Sequence, residues 1–187
     1  LNTGTFELDL THTGNSSYSG YNLVGNPYPS YVNWDSIYRY STNISPTIWF
    51  RTANAENAML FETYNALSQI GTDISNKGIT TAQIPPLQTF WVYAKQGGGK
   101  IITNNQMRSH QSGTPLKTDE PSDNKIVRLN IGNGKDCDQT IISFNENASG
   151  NIDGYDSPKM PTPGGYPEIY SIVENKKMVI NGTTLQQ

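Results

Sequence analysis

A chain of 187 residues is long enough for one medium domain or two small ones and for a buried core. Its formal net charge of −3, with no basic run longer than Lys176-Lys177, argues against nucleic acid, whose phosphates demand clustered cations, and no apolar run approaches the length that crosses a bilayer. Only 34% of the residues are hydrophobic, the balance having shifted to Asn, Thr, Ser and Gly, which favour turns and solvated strand faces over long helices; an all-β protein is the first inference.

The first element is a strand, with Phe6, Leu8 and Leu10 alternating against Thr5, Glu7, Asp9 and Thr11, and residues 12–17 turn it. Residues 21–24 form a second short strand that ends at Gly25-Asn26-Pro27-Tyr28-Pro29-Ser30. This stretch reads as a rigid corner: the glycine supplies an unusual backbone angle and two prolines fix the exit path. A brief helical turn follows, with Ser30 as its cap and Trp34, Ile37 and Tyr38 on one face. Strand-like runs come next at residues 47–50, 58–64 and 89–94, the last entered through Pro85-Pro86. Gly97-Gly98-Gly99 turns the chain into residues 100–103. It lacks the spacing, hydroxyl and helix of a phosphate loop and reads as a hairpin turn. Residues 108–124 contain one large apolar residue, Leu116, and read as a linker between a domain at 1–107 and a second segment at 125–187. Strands are expected in that segment at 126–131, 139–144, 169–172 and 178–180.

Chemical motifs are sparse. His12 and His110 sit in polar turns, and no nucleophile elbow, zinc-protease helix or dinucleotide fingerprint is present. Cys137 stands alone, which excludes an internal disulfide framework and a cysteine zinc site, and it is read as a structural or loop thiol. Four sequons, at Asn15, Asn43, Asn147 and Asn181, are expected by chance in so Asn- and Thr-rich a chain. A glycosidase pair such as Glu56 with Glu62 or Asp73 can be drawn, as in any chain with 16 acids. Asp153 and Asp156, flanking Gly154, are the best metal candidates and would suit Ca2+; the plainer reading is a turn held by side-chain hydrogen bonds, with no cofactor. Tyr28, Tyr31, Trp34 and Tyr38 belong to an aromatic excess that either fills a core poor in aliphatics or offers rings for stacking on sugars, and core filling is preferred.

The blocks "YNLVGNPYPSYVNW", "ISPTIWF", "IPPLQTFWVYA" and "QTIISFNENASGNIDGYDSPKM", in that order, resemble a recurring region of large exported surface proteins of the type IX secretion system, found just upstream of their C-terminal sorting domain. The resemblance implies secretion, surface attachment, a β-sandwich and no established catalytic residues. Because relatives would continue beyond the last strand, it also implies that the second half is smaller or incomplete. The expected fold is thus an all-β, antiparallel, jelly-roll-like β-sandwich with such a second half. The expected function is a non-catalytic structural or adhesion module at the outer cell surface or outside the cell, not an enzyme. Its expected partners are other segments of the same surface protein, or an extracellular protein or glycan, with no nucleic acid and no membrane insertion. A carbohydrate-binding module is the alternative, and a glycoside hydrolase a more distant one. The chain opens on Leu1 and is read as a processed or excised piece, so the lack of a leader leaves the compartment open.

Overall fold

Short polar and β-branched residues between glycine and proline breaks should give many brief strands, and they do. The computed structural model describes residues 4–16, 18–53, 59–75, 77–109, 125–161 and 164–185. In chain order the elements are β1 (Phe6–Leu10), β2 (Tyr21–Gly25), β3 (Tyr31–Asn33), α1 (Trp34–Tyr40), β4 (Ile44–Ala53), β5 (Met59–Asn65), β6 (Ile70–Gly71), β7 (Gln83–Ile84), β8 (Thr89–Ala94) and β9 (Gly99–Thr103). A single 3-10 turn (Asn105–Met107) leads to β10 (Arg108–Ser109), and then come β11 (Lys125–Gly132), β12 (Cys137–Phe144), β13 (Ser157–Pro158), β14 (Ser171–Val173) and β15 (Lys176–Thr183). The fold is all-β and sandwich-like, its sheets mainly antiparallel, with β12 and β15 running parallel.

The chain divides into two compact units, Leu1–Ile48 with Thr81–Thr118 and Trp49–Thr80 with Asp119–Gln187. This differs from a cut through residues 108–124 in two ways. Arg108 and Ser109 are strand rather than linker, paired with Val32 and Tyr31, while residues 110–124 lie outside the described residues. Residues 49–80, moreover, belong with the C-terminal part of the chain. The cause is hydrogen bonding between segments far apart in sequence: Trp49 Nε1 donates to Pro158 O at 3.0 Å, Asn65 Nδ2 to Gly154 O at 3.0 Å, and Asp73 N to Gln139 Oε1 at 3.2 Å. Proteolysis between 110 and 124 is therefore expected to leave both fragments associated in native size-exclusion chromatography and to part them only in denaturant. Elution of a separate folded piece ending near residue 107 would contradict this assignment.

In the first unit β2 pairs with β8, which adjoins β4; β1 pairs with β9; and β3 lies between β10 and β7. Alternation along β8 buries Phe90, Val92 and Ala94, and Leu10, Val24, Val32, Trp34, Ile37 and Ile84 are among the other residues of this core. α1 is capped by Asn33 rather than Ser30: Asn33 Oδ1 accepts the Ser36 N–H at 2.9 Å, and Ser30 instead accepts from Arg108 Nε at 2.7 Å. Asp35 in its first turn and Arg39 in its last match the helix dipole. The glycine triplet makes a turn closed by Gly98 N to Lys95 O, but it is no hairpin, because β8 pairs with β2 and β9 with β1. Glycine is needed there for close approach: a Cβ on Gly98 would stand 2.8 Å from Leu10 O and one on Gly99 2.7 Å from Asn43 O.

In the second unit β4 is followed across the sheet by β5 and β6, and a second sheet runs β11-β12-β15-β13 with β14 also on β15. Ile70, Ile141, Val179 and Ile180 form a core cluster, each side chain worth about 1.5–3 kcal/mol of burial. β14 and β15 make a two-residue hairpin through Glu174 and Asn175, both at positive φ (47° and 64°), which is the turn whose twist matches antiparallel strands.

Candidate functional site

The corner at residues 25–30 is held by a side chain that composition does not single out. Buried Asn26 donates from Nδ2 to Ser30 O at 2.9 Å, Ile84 O at 3.2 Å and Pro85 O at 2.9 Å, and its Oδ1 accepts the Tyr28 N–H at 2.9 Å. Gly25 is not among the residues at positive φ, so the corner depends on the asparagine and not on a special glycine angle. Tyr28 is buried, its hydroxyl accepts from Thr103 Oγ1 at 2.9 Å, and the Arg108 guanidinium lies 5.7 Å from its ring centre.

Of the four candidate stacking residues, two are thereby removed from solvent. Trp34 is 0% exposed, donates from Nε1 to Pro46 O at 2.7 Å and meets Phe90 edge-on at 5.7 Å. A ring enclosed like Trp34 or Tyr28 has no face left for a sugar, which corrects their assignment as ligand residues. Tyr31 and Tyr38 are half-buried.

Three more half-buried rings lie side by side on β2 and β8. The β2–β8 register pairs Tyr21 with Tyr93, Leu23 with Trp91 and Gly25 with Thr89, and these six share the face opposite the core. Tyr21 meets Tyr93 edge-on at 5.1 Å, and His12, whose Nδ1 donates to Ala94 O at 2.8 Å, meets Tyr93 at 5.7 Å. Burial, with Tyr93 alongside, pushes the Tyr21 hydroxyl up to about 12, so it stays protonated. Leu23 is 56% exposed and Trp91 half-buried. The alternation of residues 89–94 was the signal for this face, since burying Phe90, Val92 and Ala94 turns Trp91 and Tyr93 outward.

Asp153 and Asp156 come together as a pair that binds backbone. Asp153 accepts the N–H groups of Ser149 and Tyr155 at 2.7 and 2.8 Å, and Asp156 those of Asp153 and Gly182 at 2.9 and 3.0 Å. Each carboxylate oxygen thus has an N–H donor. Among the described residues no three His, Cys, Asp or Glu side chains converge as a metal site. Burial raises Asp156 to about 6 from 3.8, against the opposing pull of the N–H donors. A group raised on folding binds its proton more readily in the native state, so its stabilisation is complete below 3.8 and is lost as pH climbs through about 6. Measured against Asp156→Asn, which cannot titrate, wild type should lose on the order of 1–2 kcal/mol of its relative stability across that range. A pH-independent difference between the two unfolding curves would refute the assignment.

Glu62 and Asp73 are likewise bound within the fold. Glu62 Oε2 accepts from Thr72 Oγ1 at 2.6 Å and Ile74 N at 3.1 Å, and Oε1 accepts from Ser75 N at 2.6 Å; Asp73 Oδ1 accepts the Gly78 N–H at 3.0 Å. Glu56, the other member of the drawn glycosidase pair, lies outside the described residues. Cys137, at the start of β12, donates its S–H to Ile74 O at 2.6 Å, and burial, aided by Glu62, raises its pKa and keeps the thiol protonated. His110 lies outside the described residues.

The Lys159–Asp138 ion pair is buried, and sequence reading missed it. Lys159 Nζ lies 2.7 Å from Asp138 Oδ1 and 2.7 Å from Oδ2, the two side chains being 5% and 6% exposed, and Asp138 Oδ2 also accepts the Ile169 N–H at 2.7 Å. The pair lines a small cleft with Leu60, Thr63, Ile74 and Val179. Nothing in the local sequence marks residues 138 and 159 as partners, since only the alignment of β12 and β13 on β15 brings them together.

A family model described as "Domain of unknown function (DUF8693)" matches residues 1–187. No curated protein and no solved structure matches the chain.

Proposed function

For a chain that belongs to this DUF8693 family, we propose a non-catalytic structural and adhesion module of a secreted or cell-surface protein, whose partners are other segments of that protein or an extracellular protein or glycan. The observation that carries this reading is the use to which the buried and half-buried carboxylates are put. Glu62, Asp138, Asp153 and Asp156 each bind the chain's own N–H groups, so the acids that general acid–base chemistry would draw on serve to hold turns and loops. A screen of polysaccharide, peptide and ester substrates should show no turnover. Turnover that disappears in Glu62→Gln while the fold persists would overturn the proposal.

The row formed by Tyr21, Leu23, Trp91 and Tyr93 favours glycan binding as a second reading, because rings on a sheet face can stack on the apolar faces of sugars. A glycan array with wild type and Trp91→Ala separates the two. Selective binding lost in the variant, with circular dichroism unchanged, establishes the sugar platform, and a blank array removes it.

A further inference from the structure

β11 is built unlike a strand that ends a sheet. Sheet edges are normally blunted by short length, proline, bulges or inward charge, because a free row of N–H and C=O groups invites another strand. β11 has eight residues, no proline, and an unbroken register on β12 from Lys125↔Phe144 to Gly132↔Cys137. Among the described residues no strand lies on its other side. Val127, Leu129 and Ile131 share one face and are 43%, 44% and 42% exposed, and Ile126 on the opposite face is 37% exposed. Half-buried Ile142 on β12 stands opposite Val127 and extends the apolar face inward. Three adjoining aliphatic side chains beside an open edge form a contiguous patch, which is the kind of exposure that marks an interface.

We propose that β11 pairs with β11 of a second copy of this chain, antiparallel and centred on Leu129, so that two sheets join across a two-fold axis. The strand is self-complementary in that register. Leu129 meets Leu129, Val127 meets Ile131, Ile126 meets Gly132 and Arg128 meets Asn130. Lys125 falls opposite Asn133, so no like charges stand directly across from each other. Arg128 is already drawn toward its own unit, donating to Gly71 O at 2.8 Å and to Gln139 Oε1 at 3.2 Å, which leaves the apolar face to make the contact. The inference does not rest on the adhesion reading, since an enzyme could pair in the same way.

Sedimentation velocity of the whole chain over a concentration series tests it, with Leu129→Lys and Leu129→Glu as variants. Wild type should be dimeric by about 100 μM, and each variant should weaken association at least tenfold, because the two-fold axis sets like charges face to face. An equimolar mixture of the Lys and Glu chains should recover a dimer, a rescue that a misfolded variant cannot give. A chain that stays monomeric throughout, a dimer indifferent to both substitutions, or a mixture that fails to associate would each overturn the proposal. The first of these would leave the edge to a strand of a different protein.

Discussion

Replacing Asn65 with alanine should cost the fold about 3–4 kcal/mol, a large share of the stability of a domain this size. Asn65 closes β5 and is 0% exposed. Its Oδ1 accepts the N–H groups of Leu67 and Ser68 at 2.9 and 3.1 Å, fixing the turn toward β6, where Gln69 sits at positive φ (57°). Its Nδ2 reaches 89 residues along the chain to Gly154 O at 3.0 Å and also bonds Ser157 Oγ at 3.1 Å. Alanine would strand donors and acceptors on both sides where little water reaches, and each unmet buried group costs about 1–3 kcal/mol before relaxation. Asn65→Asp should be no better, because a carboxylate would face Gly154 O and Asp156 O where an amide now donates. Urea denaturation of the variants gives the number, and a loss under about 1 kcal/mol for Asn65→Ala would show that the bridge is dispensable.

Lys159→Met should be comparably damaging, at about 3–5 kcal/mol, for an electrostatic reason. Methionine replaces most of the lysine stem but leaves the Asp138 carboxylate nearly enclosed, still bonded to the Ile169 N–H but without its counterion. The loss therefore measures a charge left without its counterion more than the worth of the pair. The double variant Asp138→Asn with Lys159→Met should recover most of it, since asparagine can still accept from Ile169 without a charge to solvate. A double-mutant cycle by chemical denaturation checks the coupling. If the double variant is no more stable than Lys159→Met alone, packing by the lysine stem and not charge pairing explains the loss.

What could be read from the residues, and what could not, follows the range of the forces. Alternation along residues 6–10 and 89–94 is a local signal, and both strands appear where it places them. α1 was legible for the same reason, though its cap moved three residues because Asn33 competes successfully with Ser30, which is drawn off by Arg108. β4 is far longer than the run at 47–50, continuing through Pro46, a residue that by itself argues against a strand and whose carbonyl is taken by Trp34. Of the aromatic excess Tyr28 and Trp34 lie in the core while Tyr18 and Tyr40 are exposed, and which rings of β2 and β8 point away from the core depends on their register, a long-range feature that brings in Trp91 and Tyr93. The Asn26, Asn65 and Asp138–Lys159 ties stayed hidden, since each joins residues whose proximity only the completed sheets create.

The interleaving of the two units also bears on time. During synthesis, residues 49–80 emerge before the first unit has its own residues 81–118, and they must wait for β12 and β15, whose parallel register sets Ile141 beside Ile180, before their core can close. Loop-closure entropy makes such distant pairings slow to form, and until then the apolar side chains of β5 and β6 have only transient neighbours. The first unit can complete itself as soon as residue 118 is clear of the ribosome, whereas the second is assembled last from a segment made early. Refolding from denaturant should accordingly be biphasic, with Trp34 in the fast phase and Trp49 in the slow one, and the interval between the phases is when the chain is most open to mispairing.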